Sequence, residues 1–225
     1  MTLNIFDSKI KDGSMKSVRD GDMQNVNVSR MAFMRNNNID PESTTLVRLK
    51  YEGDDYCRYS TVGDEYKGDG ITRESTLTSD ALVVTDFNHA VFLPLADCIG
   101  VVLHDTTRNI LMVSHLGRHN LEQFGGTKSV EYLVKNHNIE PKNLDVWFSP
   151  AAGKDSYPLY SFDNRSLYEV AIEQLSEAGV LVEKIKLSPI DSAISGEYYS
   201  HSQFLKGNKE TDGRFAIVAC MKDDE

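Results

Sequence analysis

Two short stretches carry residue types that could do chemistry. Ala96-Asp97-Cys98 lies between two strongly apolar runs, AVFLPL and IGVVLH. His115 closes the run ILMVS and is followed by Leu116-Gly117-Arg118-His119-Asn120. Both sit where strands should end, so turns can present their side chains to a cleft. A cysteine and a histidine brought together make a nucleophile–base pair or supply two of the ligands a zinc ion accepts. A catalytic zinc takes three protein ligands and a water. Nothing local fixes the distance between the two residues, and each has a plainer reading. Free cysteine is among the most buried residue types, and a lone histidine after a strand is commonly a hydrogen-bonded surface group. His89, His104 and His137 read as surface groups, Cys57 and Cys220 as structural thiols. GDEYKGDG does not have the spacing of a phosphate-binding loop.

The elements that must position these residues follow from periodicity. Residues 81–113 hold four short runs, ALVVT, AVFLPL, IGVVLH and ILMVS, apolar on both faces as in central strands. The turn at 107–109 suggests a hairpin. Residues 46–51, LVRLKY, alternate apolar and basic, a half-buried strand that would put Arg48 and Lys50 on one face. Residues 26–37 suggest a helix with Val28, Met31, Ala32 and Met34 on its apolar face, ended at Asp40-Pro41. A second helix falls within 121–137, with Val130, Leu133 and Val134 on one face and Gly125-Gly126 obscuring its start. Residues 144–150 read as a strand. Residues 165–178 read as a helix capped by Asp163 or Asn164 and stopped by Gly179. Residues 181–187 and 214–221 read as strands, the last a buried terminal one; 63–75 and 189–213 read as loops. No repeat or linker divides the chain, so residues 1–225 are expected to form one α+β domain, a mixed-sheet α/β sandwich.

Bulk composition excludes several classes. The 225 residues carry a net charge of −10, with 40% hydrophobic and 26% charged residues. Such an acidic chain does not favour nucleic acid, whose binding needs phosphate neutralisation, or an anionic membrane surface. The three cysteines form no CxxC pair, so reduced thiols are expected. The opening residues lack the apolar core of a signal peptide and no run approaches a membrane span. A cytoplasmic location is expected.

Residues 80–120 resemble the laccase-domain (YfiH-like, multicopper polyphenol oxidase) family. That family has a D-A-L-V-T-like strand, a T-A-D-C turn and a strand leading into V-H-A-G-W-R-G. The corresponding text here is Asp80-Ala81-Leu82-Val83, Leu95-Ala96-Asp97-Cys98, and Val113 through Asn120. SPAAG at 149–153 is similar to the family's G-P-A-I-G, the 164–180 segment to its late helix, and YYSHSQ and DGRFAIVA to its closing F-F-S-Y-R-R and T-G-R-x-A strands. GSMKSV and GDMQNVNVSR are similar to its early N-x-G, G-D and N-R region.

The resemblance implies a mixed-sheet sandwich of the laccase-domain type, a catalytic zinc held by one cysteine and two histidines, and phosphorolysis of purine nucleosides, with adenosine deamination also in the group. It places Cys98 and His115 on two metal-ligand positions. The third ligand comes from a Q-V-H-G strand that corresponds to 46–51, where Arg48 stands for the glutamine and Lys50 for the histidine. A protonated lysine has no lone pair to give a metal, so the third ligand is missing unless His119 replaces it. W-R-G becomes Arg118-His119-Asn120, and Tyr-Arg-Arg becomes His201-Ser202-Gln203. On this reading a purine nucleoside and phosphate are the partners. Cys98 and His115 carry the chemistry, and Arg48, Lys50, Arg118 and His119 offer positive charge or hydrogen bonds to substrate. The alternatives are a pseudoenzyme that binds a nucleotide or protein partner without turnover, and a metal-free hydrolase using a Cys98–His115 dyad. The Cys and His residues are too sparse for several coppers.

Overall fold

The computed structural model describes residues 2–16 and 22–223. Parts of the early GSMKSV and GDMQNVNVSR segments and of the acidic tail lie outside the described residues. The elements run β1 (Thr2–Asp7), α1 (Met23–Asn36), β2 (Thr44–Leu46), β3 (Tyr59–Thr61), β4 (Ala81–Val84), β5 (Ala90–Leu95), β6 (Ile99–Asp105), β7 (Ile110–Leu116) and α2 (Arg118–Glu122). Then come α3 (Gly125–His137), β8 (Leu144–Phe148), α4 (Leu167–Glu177), β9 (Ile185–Leu187), α5 (His201–Leu205) and β10 (Phe215–Lys222).

The strands form two mixed sheets, ordered β1-β10-β5-β2 and β3-β4-β7-β6-β8-β9. The β6–β7 hairpin, with Gly100 opposite His115, is the longest pairing in the second sheet. One apolar cluster joins the facing sides of the sheets, including Leu93, Phe215 and Ile217 from the first and Leu82, Val102 and Val113 from the second. Another packs α3 and α4 on the outer face of the second sheet through Leu133, Val170 and Leu175. A third packs α1 on the outer face of the first through Phe33 and Met34. The layers are therefore helix, sheet, sheet, helices, the expected α+β sandwich. The strands 81–84, 90–95, 99–105 and 110–116 are buried throughout. That burial explains why their sequences are apolar on both faces rather than alternating.

Several expectations need correction. The buried face of α1 is Val26, Arg30, Phe33 and Met34, whereas Val28 is 65% exposed. The 121–137 helix is split at Phe124, whose left-handed backbone (φ 61°) separates α2 from α3, and Val134 is exposed. α4 is capped by Ser166, in a reciprocal pair with Glu169, rather than by Asp163 or Asn164. Residues 181–187 contain a short 3-10 turn before β9. The strand read at 214–221 is there as β10, buried as expected and lying between β1 and β5. α5 falls in the 189–213 stretch read as loop, and β1 in an opening segment for which no element is read. His89 and His104 are buried rather than superficial, and Asp69 and Ile71 bury part of the 63–75 loop.

The 46–51 strand is the correction that matters for function. β2 pairs in parallel with β5 only as far as Leu46 opposite Phe92, followed by one more bond from Val47 N–H to the Phe92 carbonyl at 2.8 Å. The next donor from β5 would be residue 94, a proline, which has no N–H. The ladder stops, and residues 47–51 leave the sheet. Among the described residues no helix is long and apolar enough to cross a membrane.

Candidate functional site

The turn between β5 and β6 is built around Asp97. Its backbone is left-handed (φ 72°), a conformation that costs energy for a residue other than glycine. The turn is pinned from two sides. The Asp97 carboxylate accepts from the Ser200 hydroxyl and from the Ser202 N–H (2.7 Å), while its carbonyl accepts from Ala152 N–H (2.8 Å). The neighbouring Cys98 is thereby held at the floor of a cleft. His115 reaches the same floor from the end of β7, its own N–H donating to the Asp80 carbonyl at 2.9 Å.

Gly117 marks where the two meet. A Cβ built on it would lie 2.7 Å from Cys98 Sγ and 3.3 Å from His115 Nε2. Sulfur and imidazole thus crowd one point, and only a residue without a side chain fits between them. Gly117 is the N-cap of α2 and is fixed by its N–H donating to Asn120 Oδ1 at 3.0 Å.

The segment released by Pro94 supplies a third wall. Leu49 and Tyr51 line the cleft, and the Tyr51 ring stands edge-on to His115 with centroids 6.4 Å apart. Lys50 does not line it. Its ammonium lies 3.7 Å from Glu52 and its carbonyl accepts from Arg58 Nη2 at 2.6 Å. Arg48 is exposed and lines an adjoining chamber, its Nη1 bonded to the Ser75 carbonyl at 3.0 Å. The two residues expected to bring positive charge beside Cys98 and His115 are therefore elsewhere, because the extended segment turns Leu49 and Tyr51 inward instead.

The cleft has a volume of about 430 Å³. Arg118 and His119 line it. His119 stacks on Tyr56 (centroids 4.7 Å, 20° between planes), with Nδ1 3.5 Å from Glu122. Sequence reasoning missed four further lining residues, Lys16, Tyr157, His201 and Arg214. His201 Nδ1 sits 3.1 Å from the Asp212 carboxylate, which also accepts from Arg214 Nη1 at 2.9 Å. A carboxylate on Nδ1 fixes the ring and leaves Nε2 for a ligand. The signal was present in the YYSHSQ and DGR segments, but only the fold brings them together.

Burial sets the protonation states. It pushes the Cys98 thiol up to about 12, and Asp97 adds to the effect. It pulls His115 down to about 4, outweighing the opposite pull of Asp80. At neutral pH the pair is therefore a thiol and a neutral imidazole, with no activated thiolate of the kind a Cys–His hydrolase uses. Burial likewise raises the Tyr51 and Tyr157 phenols.

A three-ligand zinc site does not fit these residues. Cys98 Sγ and His115 Nε2 supply two donors, the Tyr51 phenol beside them stays protonated, and His119 is held against Tyr56. Among the described residues no group of three His, Cys, Asp or Glu side chains is placed to hold a metal ion.

Residues 14–165 match the family model described as multi-copper polyphenol oxidoreductase laccase. No curated protein matches the chain. Solved structures share its architecture, three of them as follows. One is the Bacillus licheniformis hypothetical protein YfiH, 17% identical over 98% of this chain and 93% of that one, with a TM-score of 0.84. Another is YlmD from Geobacillus stearothermophilus, 18% identical over 93% and 85%, with a TM-score of 0.81. The third is the Neisseria meningitidis protein NMB0706, of the family named DUF152, 15% identical over 93% and 86%, with a TM-score of 0.69. At these identities the structural likeness speaks for the fold.

Proposed function

The chain belongs to the multi-copper polyphenol oxidoreductase laccase family, and on that premise we propose that it binds a purine nucleoside and phosphate in the Cys98–His115 cleft and carries out phosphorolysis. The observation that carries this reading is the composition of the cleft. It joins cationic groups (Lys16, Arg118 and Arg214) with aromatic and apolar walls (Tyr51, Tyr157, Leu49 and Leu205) around a floor made by the half-buried Cys98 thiol and the buried His115 imidazole. Its volume lies in the range of small-ligand sites, and its charge suits a phosphate within a chain that is otherwise acidic.

In phosphorolysis the bond from C1′ of the ribose to N9 of the purine breaks, and its electron pair goes to the base. A phosphate oxygen bonds to C1′, and the departing base takes up a proton. Arg118 and Arg214 hold the phosphate, where guanidinium groups form strong charge-assisted bonds. Tyr51 and Tyr157 hold the planar base. His201, oriented by Asp212, delivers the proton to the leaving base. Cys98 and His115, as a thiol donor and a neutral imidazole acceptor, hold the ribose hydroxyls. No step runs through a metal, because the donor set is short by one.

A second reading, ligand binding without turnover, draws on one observation: among the described residues no third His, Cys, Asp or Glu joins Cys98 and His115 to hold a metal. One assay separates the two. Purified protein is incubated with inosine or adenosine, with and without phosphate, and the products are resolved by liquid chromatography. Phosphate-dependent release of free base, lost in Arg214→Met and strongly reduced in His201→Gln, supports phosphorolysis. Conversion of adenosine to inosine would register deamination instead. Nucleoside binding with no product supports the second reading.

A further inference from the structure

A second, larger chamber adjoins the cleft and shares Lys16, Leu49 and Pro94 with it as a common wall. Its volume is about 830 Å³. Among the described residues four cations line it, Lys16, Arg30, Arg48 and Arg73, against one carboxylate, Glu74. This local excess is opposite in sign to the net charge of the chain, −10. Arg30 makes it more telling. Its side chain comes from α1 and is only 3% exposed. Its Nε donates to the Met15 carbonyl at 2.8 Å and its Nη1 to the Gly70 carbonyl at 3.1 Å. The guanidinium lies 5.6 Å from the centroid of the Phe92 ring. Among the described residues it has no carboxylate partner.

A buried cation without a counter-charge is costly, and here three more cations are gathered around the same space. Burial lowers the proton affinity of both Arg30 and Lys16, and for Lys16 repulsion from Arg214, Arg30 and Arg48 adds to it. Lys16 sits at the junction, its ammonium 5.7 Å from the Tyr51 ring centroid. One phosphate does not fill a chamber of this size, so a diphosphate also fits.

We propose that this chamber is an anion subsite and that the ligand of the protein is a nucleoside 5′-phosphate or diphosphate, its nucleoside in the Cys98–His115 cleft and its phosphate groups beside Arg48 and Arg30. The nucleoside half of this assignment rests on the function proposed above; the anion preference of the chamber does not.

Isothermal titration of the full chain with adenosine, AMP, ADP and inorganic phosphate tests it. Charge-assisted hydrogen bonds to a phosphate should make AMP bind at least about tenfold tighter than adenosine. Raising the salt should weaken AMP and ADP while leaving adenosine nearly unaffected. Arg48 is exposed, so Arg48→Ala and Arg48→Glu should fold normally. Both should erase most of the preference for AMP, the glutamate more completely. Equal affinities for AMP and adenosine would overturn the proposal and leave nucleoside phosphorolysis standing. A preference that survives Arg48→Glu would overturn it too. AMP binding that depends on Arg48, with no adenosine binding, would uphold the anion subsite and count against phosphorolysis of unphosphorylated nucleosides.

Discussion

Replacing Gly117 by alanine tests the convergence on which the site depends. The Gly117 backbone (φ −103°, ψ −177°) is ordinary extended chain that any residue adopts, so the substitution strains nothing by itself. The added methyl group would meet Cys98 Sγ at 2.7 Å, His115 Cε1 at 3.1 Å and His115 Nε2 at 3.3 Å. The imidazole is 4% exposed and tied into a central strand, so the sulfur must yield. Overpacking of this kind costs about 1–3 kcal/mol. With a urea m-value of about 2 kcal/mol/M, the unfolding midpoint should fall by about 0.5–1.5 M. Cys98→Ala removes the closest contact and leaves overlaps of a few tenths of an ångström. The double variant Gly117→Ala/Cys98→Ala should therefore be about 1–2 kcal/mol more stable than the two single effects added together. Urea titration of the four proteins at neutral pH measures this. Strict additivity, or no cost for Gly117→Ala alone, would mean that the thiol and imidazole do not meet at residue 117.

Other consequences can be checked separately. Burial depresses the proton affinity of His115 and His89, each to about 4, so the stability they confer is complete above pH 6.5 and is lost as pH falls from 6.5 toward 4. For His115 alone this loss is about 3 kcal/mol, and urea midpoints of His115→Gln should fall less steeply than those of wild type across that window. Tyr51→His should raise zinc affinity by on the order of 100-fold by adding a third donor, whereas Lys50→His should leave it at the wild-type level; competitive chelator titration distinguishes them. With its thiol pushed up to about 12, Cys98 should alkylate with iodoacetamide far more slowly than free cysteine at pH 7.5, as read by peptide mass mapping, and rapid labelling would contradict the protonated-thiol assignment.

The central strands are legible in the sequence because burial on both sides leaves continuous apolar runs between 81 and 116. β1 is not, since Thr2, Asn4 and Asp7 make it look polar and its place is set by pairing with β10, more than 200 residues away. The buried face of α1 misleads for another reason: a charged residue, Arg30, occupies a core-facing position, so only Met31 and Met34 of the expected apolar face pack inward while Val28 and Ala32 are exposed. Cys98 and His115 stand out through their place at strand ends and through family resemblance. The identity of the residue opposite them does not. Choosing between Lys50 and Tyr51 depends on where β2 ends, and that depends on a missing N–H at Pro94 in a different strand. His201 and Asp212 belong to a stretch read as loop and Arg214 to the start of the strand after it, and only the fold of 198–214 around the Asp97 turn brings them to the cleft.

A crystal structure of the protein soaked with inosine and phosphate would test the central claim most directly. The purine should lie between Tyr51 and Tyr157, the ribose over Cys98 and His115, and the phosphate against Arg118 and Arg214. A cleft that stays free of nucleoside at saturating concentrations, or a purine bound elsewhere on the molecule, would contradict it.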